Sequence, residues 1–344
     1  MKIFYAVQAT GNGHISRAIE VLPHLQKYGE VDIFLSGSNS NINIDGKVQY
    51  RSQGVSLFYT GNGGLDYLKT IKAFKPKTIF NQVKNLPVQK YDLVINDFES
   101  ITALACAYKK VKSINFGHQA SFMSKNTPRP TKQSVVGEFV LKNYARATSY
   151  VGLHFEQYDT NILPPIIKQA IWNAQPKNEG YITVYLLSFN DKTILKYLQP
   201  IKDYRFEVFS KEVQQITIQG NVTLIPVSKE GFNRSLINCH GIITGAGFET
   251  PAEALYLQKK ILAIPVKGQY EQLCNAAALQ KLGVSVAYDL NENFEKLFYK
   301  CMGNTKTIYL NYKNNTASII HSMMNTADKI IAPNAAINVA EWAL

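Results

Sequence analysis

Two stretches of the chain begin with the same strand–loop–helix pattern, and this repetition limits the possible folds more than any other feature. Residues Lys2–Val7 form a β-rich run that breaks into the polar loop 8–13, and a helical pattern of apolar residues follows. Tyr181–Leu187 is a second β-rich run, which ends in the polar residues 188–191 before another helical stretch. Each start is typical of the first βα unit of a parallel sheet. The chain is therefore expected to contain two such sheets in succession.

Further buried strands are expected after each start, with helical stretches between several of them. They are Val31–Leu35, Leu93–Ile95 and Ser113–Phe116 in the first half, and Phe206–Phe209, Val222–Ile225, Gly241–Ile243 and Ile261–Ile264 in the second. The stretch 161–180, rich in Pro, Asn and Gly, joins the halves, and 317–331 is expected to be a final helix.

The predicted fold class is α/β, with two Rossmann-like domains in tandem and a cleft between them. A length of 344 residues, 46% of them hydrophobic, suits two domains of ordinary size better than one. The boundaries are expected at 1–162 for the N-terminal domain, 163–325 for the C-terminal domain and 326–344 for a tail. Ligands of such sheets bind beyond the carboxyl ends of the strands, so the loops there should carry the function.

Composition narrows the class of protein. The four cysteines, Cys106, Cys239, Cys274 and Cys301, show no zinc-ligand spacing and are expected to be mostly buried free thiols. No apolar run approaches the ~18 residues needed to cross a bilayer, and Met1–Val7 reads as a first strand and not as a signal peptide. The protein is expected to be cytoplasmic. Peripheral binding to the inner face of the cell membrane is a second, open expectation.

The positive charge is concentrated in one region. Leu65–Tyr150 holds 14 Lys or Arg and 5 Asp or Glu, which is +9 of the net charge of +12. Within it, residues 65–90 carry six lysines interleaved with apolar side chains, a pattern suited to the surface of an acidic membrane. A solvated helix that packs its apolar side on the sheet explains the pattern equally well. Nucleic acid is not expected as a partner, because no RNA-binding motif is present.

The first loop after a strand contains Gly11, Asn12, Gly13 and His14. Glycines let the backbone approach a ligand closely, and the following helix offers its positive N-terminus. A dinucleotide fingerprint would require a third glycine where Ser16 stands and an acidic residue at the end of the second strand, so NAD binding is disfavoured. His14 is expected to face the cleft; a helix N-terminal histidine without chemistry is the alternative.

Two more polar clusters end strands of the same predicted sheet. Asp97 and Glu99 follow Leu93–Ile95, and His118 and Gln119 follow Ser113–Phe116. Carboxyl ends of parallel strands share one edge, so these side chains and His14 are expected around one cleft. His14 oriented by Asp97 is the predicted general base, since imidazole titrates near neutral pH. His118 is the rival base, and a helix cap is the alternative role for Asp97.

The most specific stretch is 241–276, which reads as strand, glycine loop, helix, strand, loop, helix. A glycine loop at a helix start suits a phosphate, a carboxylate one turn later can accept hydrogen bonds from a ribose, and polar residues opening the next helix can meet a sugar. The residues expected at a sugar donor are Gly245, Ala246, Gly247, Thr250, Glu253, Glu271 and Gln272, together with Ser188 after the second β-rich run.

Taken together, these motifs resemble GT-B glycosyltransferases. They are Gly-x-Gly-His at 11–14, Asp-Phe-Glu at 97–99, and Gly-x-Gly-Phe-Glu-Thr followed by Glu-Gln-x-x-Asn-Ala within 245–276. The chain is similar to the transferases that add N-acetylglucosamine to the lipid-linked peptidoglycan precursor, most of all to an uncharacterised bacterial and archaeal group related to them. It is similar more loosely to plant and animal UDP-glycosyltransferases. The resemblance covers most of residues 1–325.

The resemblance implies an inverting transfer of a hexosyl or N-acetylhexosaminyl group from a nucleotide sugar, expected to be UDP-linked, to an acceptor hydroxyl of a lipid or cell-envelope glycan. In the family, the residue matching Glu253 holds the donor ribose, and those matching Glu271 and Gln272 contact the donor sugar. The glycine loop and Thr250 match the diphosphate site. His14 and Asp97 match the base and its carboxylate partner.

The chain departs from the family pattern in two places. Ser188-Phe189-Asn190 replaces a Gly-Gly-Ser-type loop, and Gly245 stands where plant-type members carry a histidine. Two other functions remain open: a sugar-nucleotide 2-epimerase, and a protein that binds a nucleotide sugar without catalysis. Intact His14, Asp97 and Glu253 favour transfer. No cofactor and no metal are expected, because the sequence contains no Asp-x-Asp motif.

Overall fold

The central strands of the first half are buried and mostly apolar, as strands covered by helices on both faces must be. The computed structural model describes residues 1–9, 12–37, 48–52, 76–306, 308–312 and 316–335. Strands β1 to β7 are Lys2–Gln8, Glu30–Ser36, Val48–Ser52, Leu93–Asp97, Ile114–Gly117, Ser149–Leu153 and Ile162–Leu163. They form one parallel sheet in the order β3-β2-β1-β4-β5-β6-β7.

The second half repeats this arrangement. Strands β8 to β14 are Tyr181–Tyr185, Arg205–Ser210, Thr217–Gln219, Val222–Pro226, Gly241–Gly245, Lys260–Ile264 and Ser285–Val286. Their order is β10-β11-β9-β8-β12-β13-β14, and only the β10–β11 pair is antiparallel among the described strands. Two Rossmann-like sheets in tandem are therefore present, as the sequence predicts, and every predicted strand is found.

Helices cover both sheets. The described helices α1 to α11 are Asn12–Leu25, Pro76–Asn85, Ser100–Lys109, Val135–Asn143, Gln169–Trp172, Asp191–Leu198, Lys229–Asn238, Glu249–Tyr256, Tyr270–Lys281, Phe294–Met302 and Thr316–Ala335. Two 3₁₀ helices lie at Val88–Lys90 and Gln119–Met123. Residues 65–75 of the predicted basic helix lie outside the described residues, whereas α2 covers part of the remainder.

The last helix returns to the first sheet. Helix α11 contacts α1 and β6. The Tyr28 hydroxyl lies 3.2 Å from His321 Nδ1, and Lys112 Nζ donates to the Ile330 carbonyl at 3.1 Å. The final helix predicted at 317–331 is thus present, but it runs past the expected start of the tail at 326 and packs on the N-terminal domain. Strand β7 likewise crosses the expected boundary at 162.

The strand order places the predicted site residues at comparable points of the two sheets. Each order reverses beside its first strand, between β1 and β4 in one sheet and between β8 and β12 in the other. In the first sheet, His14 follows β1 and Asp97 is the last residue of β4. In the second sheet, Ser188 follows β8, and Gly245–Gly247 begin at the last residue of β12. Ligands of doubly wound sheets bind at such switch points, so both sheets present their predicted clusters where a ligand is expected.

Two further expectations concern cysteines and membrane spans. All four cysteines are free and buried, and burial raises the pKa of Cys106 and of Cys274 to about 12. Thiols that stay protonated in this way are poor nucleophiles. Within the described ranges, no helix combines the length and the apolar character needed to cross a bilayer.

Candidate active site

His14 and Asp97 are in direct contact. His14 lies in the first turn of α1, directly beyond β1, and Asp97 is the last residue of the neighbouring strand β4. His14 Nδ1 is 2.9 Å from Asp97 Oδ1. The carboxylate is fully buried, whereas the His14 side chain is 16% exposed. The second ring nitrogen, Nε2, lies 3.4 Å from Gln119 Nε2. The structure therefore brings together the two residues that the sequence predicts as base and partner.

A left-handed turn of the backbone at Phe98 directs the side chains of Asp97 and Glu99 into different surroundings. Phe98 has φ 54°, a left-handed conformation that costs an L-residue roughly 1–2 kcal/mol. Beyond this turn, Glu99 is buried and its carboxylate accepts hydrogen bonds from the amides of Ile101 at 2.9 Å and Thr102 at 2.6 Å. Glu99 therefore caps α3 and does not line the cleft, contrary to the sequence-based expectation, and burial raises its pKa.

Arg17 is part of the same cluster, although it belongs to none of the predicted motifs. It lies one turn after His14 on α1 and is buried. Its Nη2 donates to Asp97 Oδ1 at 2.7 Å and its Nε donates to Oδ2 at 3.1 Å. Burial alone would raise the pKa of Asp97, but Arg17 and then His14 outweigh it and lower that pKa. Asp97 is therefore an ionised group shared by an imidazole and a guanidinium. The i, i+3 spacing from His14 is a signal that could have identified Arg17.

The other end of the Arg17 guanidinium reaches the second domain. Its Nη1 forms an ion pair with Oε1 of Glu249, the first residue of α8. Gly13 makes this approach possible, because a Cβ at that position would lie 2.6 Å from Glu249 Oε2. A side chain at residue 13 would therefore push Glu249 away. The predicted first loop thus serves a contact between the two domains.

The glycine loop connects β12 to α8. Strand β12 ends at Gly245, Ala246 is buried, and α8 begins at Glu249, with Thr250 next. The N-cap residue of α8 contributes no side-chain cap, so the first amides of this helix are suited to an anionic ligand. Ser188 lies in the loop between β8 and α6, and β8 is the neighbour of β12.

Glu253 has a partner that the sequence does not indicate. The Glu253 side chain is buried in α8, and Lys168 Nζ lies 3.1 Å from its Oε2, an ion-pair distance without hydrogen-bond geometry. Lys168 also donates to Asn233 Oδ1 at 3.1 Å. Burial raises the pKa of Glu253, and Lys168 opposes this shift. Lys168 belongs to the segment between the sheets and lies far from Glu253 in the sequence, so no local pattern encodes this pair.

Glu271 and Gln272 open helix α9, as predicted. Glu271 Oε1 accepts a hydrogen bond from Gln119 Nε2 at 3.1 Å. Gln272 Oε1 accepts one from the Val266 amide at 2.8 Å, which ties the loop after β13 to the start of α9. Gln119 therefore links His14 in one domain to Glu271 in the other.

His118, the rival base, is buried at the contact between the domains. Its Nδ1 lies 3.0 Å from the Leu153 carbonyl and its Nε2 lies 2.8 Å from Asn275 Oδ1. Its ring stacks on Phe248, with centroids 4.1 Å apart. Burial lowers the pKa of His118, and the nearby Glu271 opposes this effect. Both ring nitrogens are occupied by protein oxygens, so His118 is placed to join the domains and not to meet an acceptor.

The remaining predicted residues lie around the same cluster. Asn12 and Gly13 are the first two residues of α1, and the Asn12 side chain forms a hydrogen bond with Tyr185 at the end of β8. Gly11 lies outside the described residues. In the part of the chain that the structure describes, no three or more His, Cys, Asp or Glu side chains are grouped as a metal ion would require.

The fold and the site together define a class of protein. Two Rossmann-like sheets in tandem, with the predicted site residues at the switch points of both sheets, fit the GT-B fold. The chain belongs to the family described as Glycosyl transferase family 1, whose profile matches residues 1–301. It is a glycosyltransferase of the GT-B type, related to the MurG and UDP-glycosyltransferase groups. No curated protein sequence matches it significantly.

Solved structures with the same fold cover almost the entire chain. The glycotransferase of kitacinnamycin is 14% identical with a TM-score of 0.57, covering 96% of this chain and 98% of that one. Arabidopsis thaliana UGT89C1, solved in complex with UDP, is 12% identical with a TM-score of 0.58, covering 96% and 98%. Acinetobacter baumannii MurG is 13% identical with a TM-score of 0.53, also covering 96% and 98%. At these identities the likeness is one of fold.

Proposed function

We propose that the enzyme transfers a sugar from a nucleotide sugar, UDP-linked in the first instance, to an acceptor hydroxyl with inversion at the anomeric carbon. The acceptor oxygen forms a bond to that carbon while the bond to the diphosphate oxygen breaks. The proton of the hydroxyl passes to His14 Nε2, and the electron pair leaves with the nucleoside diphosphate. A single displacement of this kind needs one base and inverts the configuration.

One observation carries this proposal. His14 Nε2 lies beside Gln119 Nε2, at 3.4 Å, and the same amide nitrogen donates to Glu271 Oε1 at 3.1 Å. A base from the first domain is thereby joined, through one side chain, to the carboxylate of the second domain that is expected to contact the donor sugar. An acceptor hydroxyl placed between them would meet the base and the anomeric carbon together, as proximity catalysis requires.

The other side chains have supporting roles in the proposed reaction. Asp97 fixes the ring orientation of His14 and stabilises the imidazolium that forms, and Arg17 keeps this carboxylate ionised. The glycine loop and the uncapped start of α8 receive the leaving diphosphate, whose charge the helix N-terminus stabilises. Glu253 accepts the ribose hydroxyls. We propose that these groups suffice without a divalent metal.

For the acceptor, a lipid or cell-envelope glycan is part of the proposal. It is supported by the positive charge of the N-terminal half, where Leu65–Tyr150 carries +9 of the total of +12. Basic surfaces of this kind favour anionic ligands and anionic membranes.

A donor screen followed by product analysis tests the function. Binding of UDP-, GDP-, dTDP- and ADP-sugars is measured by calorimetry, and the donors that bind are incubated with membrane lipid extracts. A glycosylated product with inverted anomeric configuration in its NMR spectrum supports the proposal. Retained configuration, or a donor epimerised at C2 without an acceptor, contradicts it. Tight donor binding without any turnover would identify a binding protein instead.

A further inference from the structure

Asn275 connects the glycine loop of the second domain to a histidine of the first. It lies on α9, one turn after Glu271, and is fully buried. Its Nδ2 donates to the Ala246 carbonyl at 3.1 Å, and its Oδ1 lies 2.8 Å from His118 Nε2. Both ends of the Asn275 amide are therefore occupied inside the protein, and the proposed reaction gives this side chain no role of its own.

The bond to Asn275 sets the direction of the next backbone amide. The peptide between Ala246 and Gly247 is trans, so its carbonyl oxygen and its amide hydrogen point to opposite sides of the chain. Because the Ala246 carbonyl points toward Asn275, the Gly247 amide points away from it. Among the residues that the structure describes, none accepts a hydrogen bond from this amide. The Gly247 amide is therefore available to donate to a ligand.

The chain at Gly247 also borders open space. Apart from atoms of its chain neighbours, a Cβ at this position would meet no heavy atom within 4 Å, whereas a Cβ at Gly245 would lie 3.6 Å from Gln272 Oε1. Gly247 stands two residues before α8 begins at Glu249, where the positive helix N-terminus favours an anion. An anionic ligand at the start of α8 is thus within reach of an amide whose direction Asn275 fixes.

His118 steadies the loop on both sides of Gly247. It holds Asn275 through Nε2 when that nitrogen carries a proton, and its ring stacks on Phe248 with centroids 4.1 Å apart and an angle of 7° between the planes. Its Nδ1 lies 3.0 Å from the Leu153 carbonyl, at the end of strand β6. The conformation of the glycine loop in the second domain therefore depends on a side chain of the first.

We propose that Asn275 and His118 are positioning residues that aim the Gly247 amide at the leaving diphosphate. Both side chains are buried and held within the protein, so they act through the loop and do not touch the donor. The amide donates to a diphosphate oxygen, and this hydrogen bond strengthens as negative charge develops there. The effect on transfer rests on the proposed function, whereas the effect on nucleotide binding is measured without it.

Binding of UDP and of uridine tests the direction of the amide. Asn275→Asp keeps the size of the side chain and an oxygen towards His118, but it replaces the donor to the Ala246 carbonyl by a second acceptor. The Ala246–Gly247 peptide is then no longer held. Affinity for UDP, measured by calorimetry, should fall about tenfold to a hundredfold, as expected for one hydrogen bond to a charged group. Affinity for uridine, which lacks the diphosphate and is measured by NMR, should not change.

Two variants of His118 separate positioning from catalysis. His118→Gln places an amide nitrogen near the position of Nε2, so UDP affinity and kcat should stay within a few-fold of the wild type. His118→Leu removes the contact with Asn275 and should reproduce the loss of UDP affinity, with kcat lowered by about 10²-fold. Glutamine cannot replace a general base, so retained turnover in His118→Gln also excludes that role for His118.

Asn221 supplies the matched control. Its Nδ2 likewise holds a backbone carbonyl of the second domain, that of Ile201 at 2.6 Å, but it precedes β11 at the amino end of the strand. Asn221→Asp should lower the melting temperature as Asn275→Asp does, while the affinities for UDP and uridine both stay unchanged. A loss of UDP affinity confined to Asn275→Asp and His118→Leu would then not follow from reduced stability.

Three outcomes would overturn the inference while the proposed function stands. They are Asn275→Asp protein that binds UDP like the wild type, an equal loss of affinity for UDP and uridine, and His118→Leu protein with unchanged UDP affinity. A wild type that shows the expected pattern of nucleotide binding but transfers no sugar supports the positioning role and refutes the proposed function alone. A wild type that binds no nucleoside diphosphate overturns both.

Discussion

Arg17 and Glu249 form an ion pair across the contact between the domains, from helix α1 to the first residue of helix α8. The same guanidinium holds both oxygens of Asp97, so one side chain connects the His14–Asp97 pair to the start of the proposed diphosphate site. A carboxylate at Glu249 would by itself oppose a diphosphate, and Arg17 offsets its charge. Arg17 is therefore expected to act on donor binding and on turnover by separate contacts.

A double-mutant cycle separates these two contacts. Arg17→Met should weaken UDP binding by about tenfold or more, because Glu249 is left unpaired, and should also lower kcat, because Asp97 loses its cation. Adding Glu249→Gln should restore UDP affinity but not kcat. Calorimetry and steady-state kinetics measure the two quantities. Arg17→Lys, which keeps the charge without the two-pronged geometry, is the control for folding. A double variant that recovers neither quantity, or both, would show that the two roles are not separate.

The ribose contact predicts a pH dependence of donor binding. Glu253→Ala should lose roughly tenfold to several-hundredfold in donor affinity per charge-assisted hydrogen bond removed, at ~1.5–3 kcal/mol each. Because burial raises the pKa of Glu253, wild-type affinity for UDP should fall with decreasing pH at a midpoint above that of an ordinary glutamate. Lys168→Met removes the opposing cation and should move the midpoint higher. UDP affinity of the wild type, Glu253→Ala and Lys168→Met is measured over a series of pH values. Equal affinities of the three proteins at every pH would disprove the assignment of Glu253 to the ribose.

Buried histidines should make the fold sensitive to mild acid. Burial lowers the pKa of His118 and lowers that of His154 well below its usual value, and His154 Nδ1 accepts the Phe155 amide at 2.9 Å, as a neutral ring does. The unfolded chain therefore binds more protons than the native state once the pH falls below ~6.5. The free energy of unfolding should drop from there downwards, by up to ~1.4 kcal/mol per pH unit for each histidine.

Urea unfolding at several pH values measures this loss. His154→Gln should flatten the dependence, because it removes the ring whose pKa burial lowers most clearly. Stability that is constant from pH 7 to pH 5 in the wild type would contradict the buried neutral state of the His154 ring.

We propose that transfer proceeds without a divalent metal, with the backbone amides at the α8 N-terminus stabilising the leaving diphosphate. Rates measured in excess EDTA should match those with Mg²⁺ or Mn²⁺. Activity that disappears in EDTA and returns when either ion is added would refute this prediction.

The sequence predicts those parts of the fold and site that follow from local pattern. His14 and Asp97 could be paired in advance because both follow apolar strands, and parallel strands end at a common edge. Short or half-exposed strands such as Val48–Ser52 were not predicted, since their apolar pattern is weak. Glu99 was misplaced because the left-handed turn at Phe98 leaves no mark in composition. The ion pairs Arg17–Glu249 and Lys168–Glu253 could not be predicted, because the partners lie far apart in the sequence and no local pattern links them.

We propose that His14 is the general base and that Asp97 orients it. Single-turnover kinetics of His14→Ala and Asp97→Asn, with donor affinity measured in parallel, test it most directly. Each variant should lower the rate of transfer by ~10²–10⁴ while donor affinity stays nearly constant. A His14→Ala protein that retains a rate within a few-fold of the wild type would contradict the account.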